Sequence, residues 1–578
     1  MATGNLNNNT DWTGSFTLEK QSGTVLTLDT GSTYVGKDIA LTLAAQLATP
    51  SFDGGALNNK AATANFTNMT ISDFNSSGVA IQACGSAGRD SVLYNGAVNG
   101  WVSAADNATA AGSVASEDWT GTTYFATGVT LGKGKSFSVT VPNGSEGTIT
   151  YPFSVDANGN TTIDGVAHNY TAYGFHIDSS ESDPSACVTY LEYAIGMTPA
   201  FMDYTRGTFD WGSWGNAFFL PRPCMLKYDG TVDYYLDPND YTKKADGTAS
   251  DVGDWNYGGN AMMEWGQNGK KIWYKIVPDN DDTTSASVYI ADNQVDSGYQ
   301  AWSFINNQGD LVDHFYTPIY NGSIDGDGRL RSISGKTYDQ LCQSKTAPQE
   351  IAAAELNNPQ SSAKMWYTEV FADVTIINLL LILMGKSLNT QAVFGNGNVS
   401  SGSSADKMIA TGTMNDKGLF WGANDSTHGV KVFGMENWWG NQNRRYAGHV
   451  LSDYVHKYKL TRTNADGSNA NDYVSTNTLA DYNGYLTGPS APTTSNYVKT
   501  MGFNTHGFYT TATGGTNVNA SHYWCDYFYQ SSGLKYAYRG GDCSYGLIAG
   551  AFCVHLGSPP SLAYWHIGAS PSCKPLLT

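Results

Sequence analysis

The stretch RGGDCSYGLIAGAFCVHLGSPPSLAYWHIG, Arg539 to Gly568, sets assorted polar side chains in a regular frame of glycines and apolar residues. Strand side chains alternate between two faces. In AFCVHLG this puts Phe552, Val554 and Leu556 on one face and Cys553, His555 and Gly557 on the other. In LAYWHIG it puts Ala563, Trp565 and Ile567 on a packing face and Leu562, Tyr564 and His566 opposite. Asp542, Ser544 and Tyr545 lie in a glycine-bounded loop, and Gly557, Ser558, Pro559 and Pro560 form a turn. The candidate ligand-binding surface is therefore Asp542, Ser544, Tyr545, Cys553, His555, Gly557, Ser558, Leu562, Tyr564 and His566. Tyr, Ser, Gly, His and Asp resemble the vocabulary of antibody paratopes, where Tyr supplies amphipathic area at small entropic cost. The plainer alternative is a half-solvated sheet with an unremarkable outer face. Pattern alone does not separate the two.

Outward from this stretch, 578 residues are too many for one ordinary domain and suggest two to four. Apolar residues make up 41% and charged residues 14%, with polarity supplied by Gly, Asn, Ser and Thr. This composition suits turn-rich β structure and argues against disorder. A net charge of −19 repels phosphate, so nucleic acid and anionic membrane surfaces are poor partners. The opening MATGNLNNNTDWTG lacks the basic and apolar regions of a signal peptide. The best apolar run, Ile376–Gly385, is far short of the roughly 20 residues of a membrane span and reads as a buried helix. Eight Cys in a chain of this length do not make a disulfide framework, which points to synthesis in a reducing cytoplasm.

Residues 1–168 read as a β-rich attachment or stalk module, with one or two subdomains: SFSVTVP (136–142) and TVLTLDTG (24–31) as strands, PNGSEG and DANGN as turns. Residues 169–578 change texture. SDPSACVTYLEYAIG predicts a helix capped by Asp183, with Pro184 in its first turn, Val188, Leu191 and Ile195 on one face, and Gly196 as its stop. EVFADVTIINLLLILMGK predicts a second, buried helix stopped by Gly385. TNADGSNANDYVSTNTLADYNG reads as a long polar loop. Two helices within irregular β structure give an expected α+β class.

GMENWWGNQNRRYAG (434–448), followed by YRGGDC and HIGASPSC, resembles the motif order of the formylglycine-generating-enzyme type of C-type lectin fold. YWCDYFYQSSGLKYAYRGGDCSYGLIAGAF and the tail after it resemble the variable proteins of diversity-generating retroelements, found in phages and prophages of gut bacteria. FLPRPCMLKYDGTVDYYLDPNDY and INLLLILMGKSLNTQ are similar to the lectin-fold part of those proteins. The resemblance covers roughly residues 170–578 and implies a C-type lectin-like ligand-binding domain with a variable segment at about 525–573. In that family, error-prone copying at adenines turns AAC codons into NNC codons. These encode Asp, Ser, Tyr, Cys, His, Gly and Leu but not Lys, Glu, Gln, Met or Trp. Every candidate surface residue is accessible in this way. Trp565, on the packing face, is expected to be fixed. Relatives often carry an aromatic residue where this chain has Asn443.

The resemblance implies the receptor-binding tip of a phage tail fibre: a virion protein made in the bacterial cytoplasm and acting outside the cell. Its partners would be a bacterial surface receptor, protein or glycan, and other tail proteins through the N-terminal module. A homotrimer would add weak contacts by avidity. The alternatives are an enzyme, either formylglycine-generating-like or tail-associated, and a bacterial surface adhesin. Cys525, Cys543, Cys553 and Cys573 match neither the enzyme's cysteine pair nor a zinc spacing, and His555 and His566 lack an evident third ligand. GDGR after Asp325 and DNDD at 279–282 do not complete a calcium loop, so no cofactor is expected beyond a structural calcium of the kind some lectin-fold proteins hold. Trp438 and Trp439 are expected in the core, with Arg444 and Arg445 bridging loops.

Overall fold

The computed structural model describes residues 170–279, 283–360, 364–461, 485–514 and 524–577 in full, and only the backbone of strands before residue 169. The chain divides into Met1–Thr171 and Ala172–Thr578, against the expected boundary at 168/169. In the first unit, Ser136–Pro142 pairs antiparallel with Thr148–Val155 within a six-stranded sheet. The expected strand at 24–31, the turns PNGSEG and DANGN, and the polar loop after Thr461 lie outside the described residues.

The α+β expectation does not hold. Strands take 36% of the described chain and helices 11%, so the molecule is β-rich. Asp183 caps only a single turn, its carboxylate accepting the amides of Ser185 and Ala186. The predicted helix gives way to a strand, Val188–Glu192, paired antiparallel with Ala172–Ile177. Val188 and Leu191 share a helical spacing, while Val188 and Tyr190 share the strand spacing and are the pair that is buried. A neighbouring strand offers a hydrogen bond to every second residue, while the helix offers only a partly apolar face.

The second unit is dominated by one large sheet: β1 (Asn443–Ser452), β2 (Val455–Tyr458), β3 (Leu486–Ser490), β4 (Asn496–Asn504), β5 (Gly507–Thr513), β6 (Tyr527–Gln530), β7 (Leu534–Gly540), β8 (Gly550–Leu556) and β9 (Ile567–Gly568). Its order is β3-β2-β1-β7-β8-β6-β4-β5, with β9 parallel to β1. The sheet curls until its ends nearly meet. Inside the curl, the His456 imidazole of β2 bonds the Thr510 carbonyl of β5 at 3.0 Å.

Among the described residues there are three α-helices. In α1 (Ala347–Glu355), Thr346 and Gln349 form a capping box. The second, α2 (Phe371–Gly385), is buried at all fifteen positions, as its all-round apolar sequence predicts. Its left-handed terminal residue is Lys386, not Gly385. Asn378 ties the helix to the sheet: its amide donates to the Ala551 carbonyl and its oxygen accepts the Trp438 indole N–H. The third is α3 (Thr390–Phe394). None of the described helices is long and apolar enough to cross a membrane.

Candidate ligand-binding face

Strands β6, β7 and β8 lie side by side, and their register explains the surface they present. Phe528 and Phe552 point into the curled sheet and are buried. His555 sits opposite Tyr529 on β6 and Tyr538 on β7. Three rings in one cross-strand row stack: His555 lies 4.7 Å from Tyr529 and 4.2 Å from Tyr538, at interplanar angles of 20° and 16°. Burial pushes the His555 imidazole down to about 3, so it is neutral, and its Nδ1 accepts the Gly557 amide. The row continues outward. Tyr527 lies 4.5 Å from Tyr529 and 5.4 Å from Tyr497 on β4, and Tyr545 lies 5.6 Å from Tyr529.

Tyr497, Tyr527, Tyr529 and Tyr538 were not among the residues singled out in the sequence. The two-residue spacing of Tyr527 and Tyr529 around Phe528 is the signal that reveals the β6 pair.

The expected positions divide. Ser544 and Tyr564 are exposed, Tyr564 at 49%. Tyr545, His555, Gly557, Ser558, Leu562 and His566 are half-buried. Cys553 keeps the alternation, sharing the His555 side of β8, but it is covered and 1% exposed. Asp542 does not face outward at all. It is fully buried, accepting the Asn443 amide at 2.9 Å and the Ser544 amide and hydroxyl, and its other close partner is His566 at 3.1 Å. The absence of an aromatic residue at Asn443 thus has a local reason: its amide supports Asp542.

The strand expected over Leu562–Ile567 is also absent. Only Ile567 and Gly568 pair, and Ala563, assigned to the packing face, is exposed. Trp565 is half-buried against Leu341, Met408 and Cys543.

Segment 557–566 is a loop held by its own main chain. Its carbonyls at Gly557, Ser558, Pro560, Leu562, Tyr564 and His566 accept, in turn, the Ser531 hydroxyl, the Tyr536 amide, the Ala347 amide, the Arg445 guanidinium, the Ser344 amide and the Asn443 amide. Arg445 is fixed for this by Glu350 at 2.8 Å and by the Lys345 carbonyl. Behind the loop, Glu369 holds Arg539 at 2.8 Å and Arg444 at 3.6 Å, and the Arg539 guanidinium lies 3.4 Å from the centre of the Trp438 ring. Trp438 and Trp439 are in the core, as expected.

Two glycines of the frame are sterically required. A side chain on Gly541 (φ +76°) would meet the Ala549 Cβ at 2.7 Å, and one on Gly550 (φ +151°) the Asp526 carboxylate at 2.2 Å. Burial pushes that carboxyl up to about 8, and its oxygen accepts the Phe552 amide.

Asp542, His566 and Ser544 lie together, but the Ser544 hydroxyl donates to the carboxylate and not to the imidazole, so they do not form a nucleophilic triad. Cys525, Cys543, Cys553 and Cys573 are buried, and burial raises their thiols, so thiolate is disfavoured. Among the described residues no cluster of three or more His, Cys, Asp or Glu is arranged to hold a metal. Asp325, beside GDGR, is taken up by Arg331 at 2.9 Å, and Asp279 by His176 at 3.2 Å, while 280–282 lie outside the described residues. No family model matches the chain, and neither does any curated protein.

Proposed function

We propose that the protein is a diversified ligand-binding protein of the retroelement-variable type, acting as the receptor-binding tip of a phage tail fibre. The observation that supports this reading is the main-chain fastening of segment 557–566. A loop gripped by its carbonyls keeps its path whichever side chains it carries, which a diversified surface requires. Exposed or half-exposed positions contribute little to the core, so exchanging them is cheap. The tyrosine row of β6–β8 supplies rigid amphipathic contact area beside that loop.

On this reading the ligand is a bacterial surface receptor, the N-terminal unit attaches to other tail proteins, and a homotrimer raises avidity. The role is binding and not catalysis. The test is sequencing of the locus across isolates of the source population. Changes are expected to concentrate at Ser544, Tyr545, Gly557, Ser558, Leu562 and Tyr564 and to spare Gly541, Phe552 and Trp565. Variation no higher at those positions than at their neighbours would sink the reading.

A further inference from the structure

We propose that His449 and His456 form an acid-opened latch that closes the curled sheet and so regulates the ligand-binding face; the regulatory half of this inference rests on the binding reading above. Tyr446, His449, His456 and the Thr510 carbonyl make one hydrogen-bonded chain, with links of 2.8, 2.9 and 3.0 Å. Its direction is fixed from one end. A carbonyl only accepts, so His456 Nε2 carries a proton and donates. A neutral His456 then accepts at Nδ1, so His449 Nε2 donates and His449 Nδ1 accepts the Tyr446 hydroxyl. Two neutral imidazoles satisfy this chain with the Tyr446 hydroxyl as donor. One added proton, at His449 Nδ1, turns that hydroxyl into an acceptor and leaves a cation in a buried site; a second, at His456 Nδ1, sets N–H against N–H between the rings.

The latch spans β1, β2 and β5, and β5 is the last strand of the sheet order, bonded along its length only to β4. His456 is also 5.9 Å from Phe528, and Phe528, Phe552 and Val554 line the same cavity of about 30 Å³ as the two histidines. The outward neighbours of those residues are Tyr527, Tyr529, Cys553 and His555, so strands that shift at the latch carry the ligand face with them.

The groups facing the pair offer a proton no counter-charge. These are Tyr446 from β1, Tyr458 opposite His449 on β2, Tyr509 from β5 and Arg539 from β7, the last a cation whose partner is Glu369. From α2 come Phe371, Thr375 and Asn378, while Asp373 on that helix is occupied by Lys574 at 3.1 Å. From β4 comes Met501. Burial accordingly holds His456 at about 4 and His449 well below the usual imidazole range. A histidine depressed in the folded state stabilises the fold fully above its unfolded value, about 6.5, and that contribution is lost as pH falls from there toward 4.

Hydrogen exchange of the full chain, corrected for intrinsic rates and run from pH 7.5 to 4.5, tests this without a ligand. Protection of 507–513 and 455–458 is expected to fall on the order of 100-fold or more across the window, the fall that His456 alone produces between its unfolded value and the acid end. Protection of 527–530 and 550–556 should fall with it, while α2 holds. His456→Gln, which keeps a donor and an acceptor but takes no proton, should make the profile shallower, leaving only the slope that His449 contributes. A flat wild-type profile overturns the latch whether or not the variant folds, as does an unchanged slope in a folded variant. Loss at 507–513 with 527–530 and 550–556 unmoved overturns the coupling to the face. Isolate sequencing judges the binding reading separately, so the two failures are distinguishable.

Discussion

The charged pocket behind the face and the loop in front of it are built on opposite principles. Behind, Glu369, Arg444 and Arg539 are buried and depend on one another through their side chains. In front, segment 557–566 is tied to its neighbours mainly through carbonyls that any residue supplies, with side-chain contacts added at Ser558, Trp565 and His566. The first arrangement makes side-chain identity indispensable and the second leaves it free at most positions. A surface of the proposed kind needs both.

The contrast breaks most readily at Glu369. Glu369→Ala leaves two buried guanidinium groups without their carboxylate, and a destabilisation of about 3–5 kcal/mol in chemical denaturation is expected. Asp542→Ala is the sharper case, because Asp542 reads as variable in the sequence but is buried as frame. It should cost about 1–3 kcal/mol by orphaning the Asn443 amide. A change within 0.5 kcal/mol would move Asp542 to the permissive side. At the other extreme, Tyr564→Ser and Leu562→Ser should shift stability by no more than about 0.5 kcal/mol. A larger loss in the same melts would show that the loop leans on its side chains after all.

What the sequence made legible was local. The all-round apolar run of α2 leaves burial as its only outcome, and the alternation of β8 follows from AFCVHL. What it did not reveal depends on distant partners. Asp542 lies in a glycine-bounded loop that reads as solvated, and nothing nearby announces Asn443, 99 residues away, as the group that draws it inside. Val188 to Glu192 is a strand because Ala172–Ile177 lies beside it, and its own spacing suited a helix equally well. Segment 562–566 alternates in sequence but never pairs, because its carbonyls are spent on β1 and the chain before α1. The tyrosine row needs three strands in register, of which one reads clearly alone.

Six of the bonds that fasten segment 557–566 end on carbonyl oxygens of the loop. Proline has no amide hydrogen but keeps its carbonyl, and on the proposed reading CCC is among the codons that adenine mutagenesis of AAC produces. A loop secured through its amides would be cut loose by each such draw. Secured through its carbonyls, it keeps its moorings even when the draw is the residue most hostile to ordered backbone, and Pro559 and Pro560 already stand in its turn.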